Sequence, residues 1–284
     1  MENIIISNQE KFEELKEKFK KDGVEKLHVL ADFDKTLTKV FVNEKKIPSL
    51  ISVLIDEKYL TPDYPEKARA LYDKYSAIER DLSIPLEERK SAMQEWWTKH
   101  FELLISSGLS KKDLEKAVKS ENFILREEIP KFLNNLALNK IPLVILSSSG
   151  LGDESIALYL KNKKLLSDNI HIICNSFNWD ENGNAVSVKQ PIIHILNKTE
   201  TVVKNFTDIF MRVKDRTNVI LLGDSISDID MVVGFDYDNI IKIGFLNEEV
   251  EEKLEKYKEV YDVIIANDGS AEFLNELLNH IGVV

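Results

Sequence analysis

The sequence predicts an α/β protein built on a mostly parallel sheet, with helices on both faces and a helical segment inserted into the chain. Three observations predict it. Apolar runs bounded by turn residues recur at "KLHVLAD", "IPLVILSSSG", "NIHIICNS", "TNVILLGDS", "NIIKIGF" and "YDVIIAND", the pattern of strands buried on both faces. Helix-period segments separate most of these runs, and that alternation calls for parallel strands joined by crossovers. Residues 45–120 break the alternation with amphipathic helical stretches and no convincing strand. The expected organisation is a core of residues 1–44 and 121–284 carrying an inserted helical domain at 45–120.

In chain order, "MENIIISNQEKFEELKEKFKK" has too few apolar residues for a signal peptide before its charged helical pattern. The first core strand follows at "KLHVLAD". The insert carries "PEKARALYDKYSAIER" and "LEERKSAMQEWWTKHFELL", both with the spacing of a helix that is apolar on one side. Helices are expected at 127–139, 199–213 and 247–257, between the later strands. "FNWDENGNAVSV" reads as a hairpin turning at Asn182-Gly183 and projecting beyond the sheet.

With 284 residues, 43% of them apolar, the chain can bury a sizeable core. Thirty-eight Lys plus Arg against 49 Asp plus Glu, a formal net charge of −11, disfavours a nucleic-acid polymer and leaves no basic tract for a membrane surface. No apolar run approaches a membrane span. Cys174 is the only cysteine, so an intrachain disulfide is impossible. A cytoplasmic monomer is expected.

The chemistry concentrates where strands end. In an open parallel sheet, ligands bind beyond the carboxyl ends of the strands, and Asp32 and Asp34 of "HVLADFDKTLTK" stand at such an end. Two carboxylates so close raise each other's proton affinity unless a cation intervenes. Asp224 and Asp228 of "NVILLGDSISDID" follow a second strand in the same way, with Gly223 leaving room for a close approach. A third strand ends in the hydroxyls of "VILSSSG", and Lys198 lies in "HILNKTE". Together these side chains could hold a hard cation and grip phosphate oxygens.

This ordered set resembles the haloacid dehalogenase superfamily, with its Asp-x-Asp pair, Ser or Thr, Lys and later acidic pair. More narrowly, the chain resembles the cytosolic pyrimidine 5'-nucleotidases, the type III enzymes. "DFDKTLT", "YSAIERD" with "EWWTKH", "GLGD", and "NVILLGDSISDIDM" running on through "IKIGFLNEEVEEKLEKYKEVYDVII" carry that resemblance, from about Asp32 to the end and across the insert. It implies a Rossmann-like core with a helical cap, and Mg²⁺-dependent hydrolysis of nucleoside 5'-monophosphates.

By the same resemblance Asp32 is the nucleophile that forms an aspartyl-phosphate, and Asp34 is the general acid and base. An Asp at the second position implies phosphate-ester chemistry, because relatives acting on anhydrides carry Thr there and dehalogenases an aromatic residue. Asp224 is matched to a Mg²⁺ ligand, together with the Asp32 carboxylate and the Asp34 backbone carbonyl. Asp228 has two readings: it orients Mg²⁺-bound water or Lys198, or it caps a helix beginning near Ile229. Lys198 is matched to the cation that neutralises nucleophile and phosphate. Counting back from Gly150 selects Ser148 as the phosphate-binding hydroxyl, and counting forward from Pro142 selects Ser147; Ser148 is preferred, with the Ser149 amide beside it.

In the insert, Glu79 is matched to the residue that reads the nucleobase. Trp97, with Trp96, could offer a stacking face, but both also fit the apolar side of a helix. His100 stands where the family often has a Ser that contacts substrate, and reads equally as a surface residue. The substrate class expected is a nucleoside monophosphate: CMP, UMP or 7-methyl-GMP. The alternatives are a phosphatase for another small phosphomonoester, such as a phosphoamino acid or sugar phosphate, and a catalytically silent nucleotide-binding module.

Overall fold

In a computed structural model, the structure describes residues 3–47, 49–81, 83–198, 206–233 and 236–283. The chain runs β1 (Ile4–Ile6), α1 (Gln9–Asp22), β2 (Leu27–Ala31), β3 (Phe41–Val42) and β4 (Lys45–Lys46). It enters the insert as α2 (Leu50–Asp56), α3 (Tyr64–Arg80), α4 (Leu86–Ser106) and α5 (Lys111–Ala117). Then follow α6 (Ile129–Leu138), β5 (Leu143–Leu146), α7 (Gly152–Asn162), β6 (Ile170–Ile173), β7 (Phe177–Trp179) and β8 (Ala185–Val188). The chain ends with α8 (Thr207–Val213), β9 (Asn218–Gly223), a 3₁₀ turn at Ile226–Val232, β10 (Asn239–Leu246), α9 (Val250–Val260), β11 (Val263–Ala266) and α10 (Glu272–His280).

Among the described residues seven strands form one sheet in the order β1-β11-β10-β9-β2-β5-β6. Every pair is parallel except the edge pair β1 with β11. β2 lies inside the sheet, its Val29 in register with Leu143 of β5 on one side and Ile220 of β9 on the other. The chain winds outward from β2 in both directions, so a crevice opens beyond its carboxyl end, where the direction of winding reverses. The three strands that meet there are the ones that end in Asp32, in Ser147–Ser149 and in Asp224.

The six apolar runs are all strands; β2, β5, β9 and β11 are buried throughout and need no polar alternation, whereas the edge strand β6 and the start of β10 are only partly covered. β1 was not anticipated: three isoleucines acquire strand geometry by pairing with Val263–Ile265, a partner that lies at the other end of the chain. The helix expected at 247–257 runs Val250–Val260, and that expected at 199–213 is seen as α8, with residues 199–205 outside the described set.

In the insert, α3 and α4 pack through aromatic rings, Tyr75 stacking on Trp96 at 5.9 Å between centroids and 8° between planes. Leu50, Val53, Tyr64, Phe101 and Leu104 belong to the same buried cluster as Phe33, Leu37 and Leu151. Apolar contact is therefore continuous from sheet to insert. The hairpin β7–β8 joins this contact. Lys111 donates its backbone N–H to Gly183 O at 2.9 Å, Ala185 N–H donates to Leu109 O at 2.8 Å, and Phe177 meets Phe101 edge to face. Among the described residues no helix is long and apolar enough to cross a membrane.

Candidate active site

β2 ends by delivering Asp32 to the crevice, its N–H bonded to Leu222 O at 3.0 Å so that the ladder with β9 continues up to the site. The Asp32 side chain is only 5% exposed. Its Oδ1 accepts from Lys198 Nζ at 2.7 Å and its Oδ2 from the Thr36 hydroxyl at 3.3 Å. Lys198, also buried, reaches Asp228 Oδ1 at 2.9 Å from the same ammonium. Burial works against that charge, yet Asp228 and Asp32 outweigh it and hold the ammonium above its ordinary value.

Asp228 is bonded in two directions. One oxygen holds Lys198, and the other accepts the N–H groups of Asp224 at 3.1 Å and Ser225 at 2.9 Å, closing a capping box on the 3₁₀ turn. The turn starts at Ile226, three residues before the helix start expected near Ile229. Gly223 permits this approach, since a Cβ there would lie 2.4 Å from Asp228 Cβ.

Asp34 sits one turn beyond Asp32, and among the described residues its buried Oδ1 has no hydrogen-bond partner. Burial first, then the Asp32 charge, pushes its carboxyl up to about 8, so at neutral pH it carries a proton it can give. Asp32 itself is pushed up to about 7 by burial, with Lys198 opposing and Asp228 and Asp224 adding to the rise. Taken as the general acid that the resemblance implies, Asp34 predicts the sign of a pH effect. With a nucleoside monophosphate, kcat/KM is expected to hold up to about pH 8 and then fall up to tenfold per unit as Asp34 ionises. The alkaline fall should be shallower with p-nitrophenyl phosphate, whose leaving group needs no proton; identical limbs for both substrates would remove Asp34 from that role.

At the end of β5, the three serines differ. Ser147 donates its N–H to Ile173 O, and its Oγ accepts from the Ser149 N–H at 3.1 Å, so it belongs to the strand and its turn. Ser148 is half-buried, the most open of the three. Ser149 is buried, and its Oγ has no partner among the described residues. The loop carrying Lys198 is held from the neighbouring strand end by Asn175, which donates to Ile193 O at 2.9 Å and accepts from Ile193 N–H at 2.8 Å. No sequence signal set Asn175 apart from any other turn asparagine.

The insert brings Trp97 and His100 against this region. The Trp97 ring lies on Gly150, where a Cβ would meet its Cζ3 at 2.9 Å, and stacks with Trp96 at 6.0 Å. Core packing and a face toward the loop are therefore compatible for Trp97. His100 is not a surface residue: it is buried edge-on against Trp97, burial pulls its imidazole down to about 4, and its Nε2 has no partner among the described residues. Its position on the apolar side of α4 overrides the polarity that suggested exposure. Glu79 is half-buried; burial raises its carboxyl, while Lys35, Arg80 and Lys198 oppose the rise and Asp224 adds to it.

Two further residues escaped the sequence reading. Lys35 bonds Asp224 Oδ2 at 2.7 Å. Arg126, fully buried, donates to the carbonyls of Lys35, Thr36, Thr38 and Gly269 and to the side chains of Asp268 and Asn247. It pins the chain immediately after Asp34. A single Arg in "FILREE", followed by two Glu, gives no hint of such partners.

Asp32, Asp224 and Asp228 each offer a carboxylate oxygen within 4.8 Å of the others. Hard oxygen donors this close, with three carboxylates against two ammonium groups, fit a hard divalent cation and would be relieved by it.

The family model described as pyrimidine 5'-nucleotidase (UMPH-1) matches residues 35–282. The human 7-methylguanosine phosphate-specific 5'-nucleotidase is 35% identical over 98% of this chain and 92% of its own length. The Drosophila melanogaster protein of the same description is 30% identical over 91% of this chain and 81% of its own. A solved structure of cytosolic 5'-nucleotidase IIIB bound to cytidine superposes with a TM-score of 0.85 at 27% identity, covering 99% of this chain and 94% of that one. A substrate-bound phosphoserine phosphatase, at 16% identity and a TM-score of 0.52 over 88% of this chain and 96% of that one, shares the haloacid dehalogenase fold. With the family model matching most of its length and the sheet, insert and strand-end acids in place, the chain belongs to the pyrimidine 5'-nucleotidase family and is a 5'-nucleotidase.

Proposed function

We propose that this chain hydrolyses nucleoside 5'-monophosphates, 7-methyl-GMP and CMP in preference to UMP, with Mg²⁺ and through an aspartyl-phosphate on Asp32. The observation that carries the reading is the pairing of Lys198 with Asp32 at 2.7 Å, with Asp34 Oδ1 close in sequence and without a hydrogen-bond partner among the described residues. The Asp32 carboxylate attacks phosphorus while Asp34 hands its proton to the departing 5'-oxygen. Asp34, now ionised, takes a proton from the water that hydrolyses the acyl phosphate. Lys198 offsets the negative charge of nucleophile and phosphate, and the Ser148 hydroxyl with the Ser149 amide steadies the phosphate oxygens. Asp32, Asp224 and the Asp34 carbonyl would hold Mg²⁺, which would supply Lewis-acid neutralisation of the phosphate and of the clustered carboxylates, while Asp228 positions Lys198. Residues 45–120 act as a cap over the substrate, with Trp97 and His100 toward the nucleoside and Glu79 reading the base.

The cytidine in the solved relative and the descriptions of the human and Drosophila proteins support a nucleotide over other phosphomonoesters. A cytosolic setting is supported by the name of the Caenorhabditis elegans relative, putative cytosolic 5'-nucleotidase 3. An ionised Glu79 only accepts hydrogen bonds, which favours a ring edge presenting donors; cytosine has an amine there and 7-methylguanine an N–H and an amine, whereas uracil has a carbonyl oxygen. Phosphate release measured over 7-methyl-GMP, CMP, UMP and common metabolite phosphates is the test. CMP and 7-methyl-GMP are expected to exceed UMP by about tenfold to a hundredfold in kcat/KM. EDTA should remove activity and Mg²⁺ restore it, with Ca²⁺ inhibiting because its looser coordination draws the Asp32 oxygen out of line. Glu79→Gln should narrow the base preference and leave p-nitrophenyl phosphate hydrolysis nearly unchanged; a uniform loss on all substrates would make Glu79 structural. Equal rates with Ca²⁺ and Mg²⁺ would overturn the metal assignment.

A further inference from the structure

The backbone of Lys35 is clamped, and its side chain is not. It sits at a left-handed φ of 64°, a conformation that a residue with a Cβ adopts only when its surroundings impose it. Those surroundings are explicit: Arg126 donates to its carbonyl at 2.7 Å, Asn247 donates to the same oxygen at 2.9 Å, and its own N–H donates to Thr38 Oγ1 at 2.9 Å. The clamp aims the side chain across the crevice to Asp224 Oδ2, 2.7 Å away, yet 39% of that side chain remains exposed. Lys198, by contrast, is only 4% exposed and is locked between two carboxylates.

The two lysines therefore neutralise the acidic cluster differently. Lys198 is a fixed counter-ion on Asp32 and Asp228, whereas Lys35 is bound to one carboxylate and has an open route to solvent. Asp224 is also one of the three carboxylates whose oxygens converge closely enough to share a cation. A divalent ion that uses Asp224 Oδ2 meets an ammonium already on that oxygen, and like charges at contact distance do not coexist there. We propose that Lys35 is a tethered counter-ion that holds Asp224 in the metal-free protein and is displaced when a divalent cation enters. This rests on the metal reading of the preceding section.

The proposal has two consequences. Lys35 keeps the metal-free site from accumulating unpaired negative charge, and it weakens apparent Mg²⁺ affinity by competing for one ligand.

Isothermal titration of Mg²⁺ into metal-free full-length protein, wild type against Lys35→Met, tests this without reference to turnover. The variant keeps the aliphatic stem and is expected to bind Mg²⁺ about tenfold more tightly. In parallel, thermal melts in EDTA should place Lys35→Met below wild type, because Asp224 loses its partner, and saturating Mg²⁺ should close that gap. Wild-type protein that binds no Mg²⁺ would overturn the metal reading itself. Wild-type binding with unchanged or weaker affinity in Lys35→Met would overturn the counter-ion role alone. Tighter binding without the EDTA-specific loss of stability would also overturn it, since that pattern requires only a distant positive charge.

Discussion

Asp32→Asn is expected to lower turnover of every phosphomonoester by about 10⁴-fold or more while leaving the protein folded. An amide oxygen is too poor a nucleophile to attack phosphorus, and no neighbour can substitute. Asp34 is held protonated near neutrality, and Asp228 has both oxygens occupied by Lys198 and by two backbone N–H groups. Stability should be retained, because Asp32 is a carboxyl that burial already presses toward its neutral form, and a neutral amide of the same shape is tolerated there. Melting in EDTA checks the second claim. Beryllium fluoride, a mimic of the acyl phosphate, checks the first: it should bind and inhibit wild type and fail to bind the variant. Retention of even a hundredth of wild-type turnover with intact folding would exclude a covalent step on Asp32.

Lys198→Met is expected to damage both activity and stability. Removing the ammonium leaves Asp32 and Asp228 facing each other in a buried site without their shared partner, and breaking a buried pair of this kind costs about 3 to 5 kcal/mol. In a metal-free protein of this size that corresponds to a fall in Tm of about 6 to 20 °C. Adding Asp228→Asn should recover part of the lost stability, since the remaining carboxylate is then uncontested, but none of the activity. If the double variant melts no higher than the single one, the loss comes from packing and not from unpaired charge.

Most strands of this protein were legible because they are buried on both faces and read as apolar runs, as β2, β5, β9 and β11 do. β1 was not, because three isoleucines near the terminus become a strand only through pairing with Val263–Ile265. The strand-end acids were legible as a set: Asp32, Asp34, Asp224 and Asp228 each follow an apolar run, and a parallel sheet places such ends along one edge. Which acids keep free oxygens was not. The 3₁₀ turn at Ile226–Val232 decides that Asp228 has both oxygens bonded, and burial leaves Asp34 with one oxygen unpartnered among the described residues. The hairpin's Asn-Gly turn was visible as local chemistry, but its attachment to the insert through Lys111 and Leu109 was not.

By itself the sequence determined the sheet, the helical insert and the order along the chain of the strand-end acids, the serines and Lys198. Those properties depend on hydrophobic period, turn residues and motif spacing, all written in neighbouring positions. Only the tertiary structure decided the partners of isolated charges: Lys35 on Asp224, Lys198 between Asp32 and Asp228, Arg126 on four carbonyls, and His100 inside the insert. A lone charged or polar residue is indistinguishable in sequence from one solvated at the surface. Its environment is set by groups that the fold brings from far along the chain, 189 positions away for Lys35 and Asp224, and its energetics follow from burial, which no local pattern encodes.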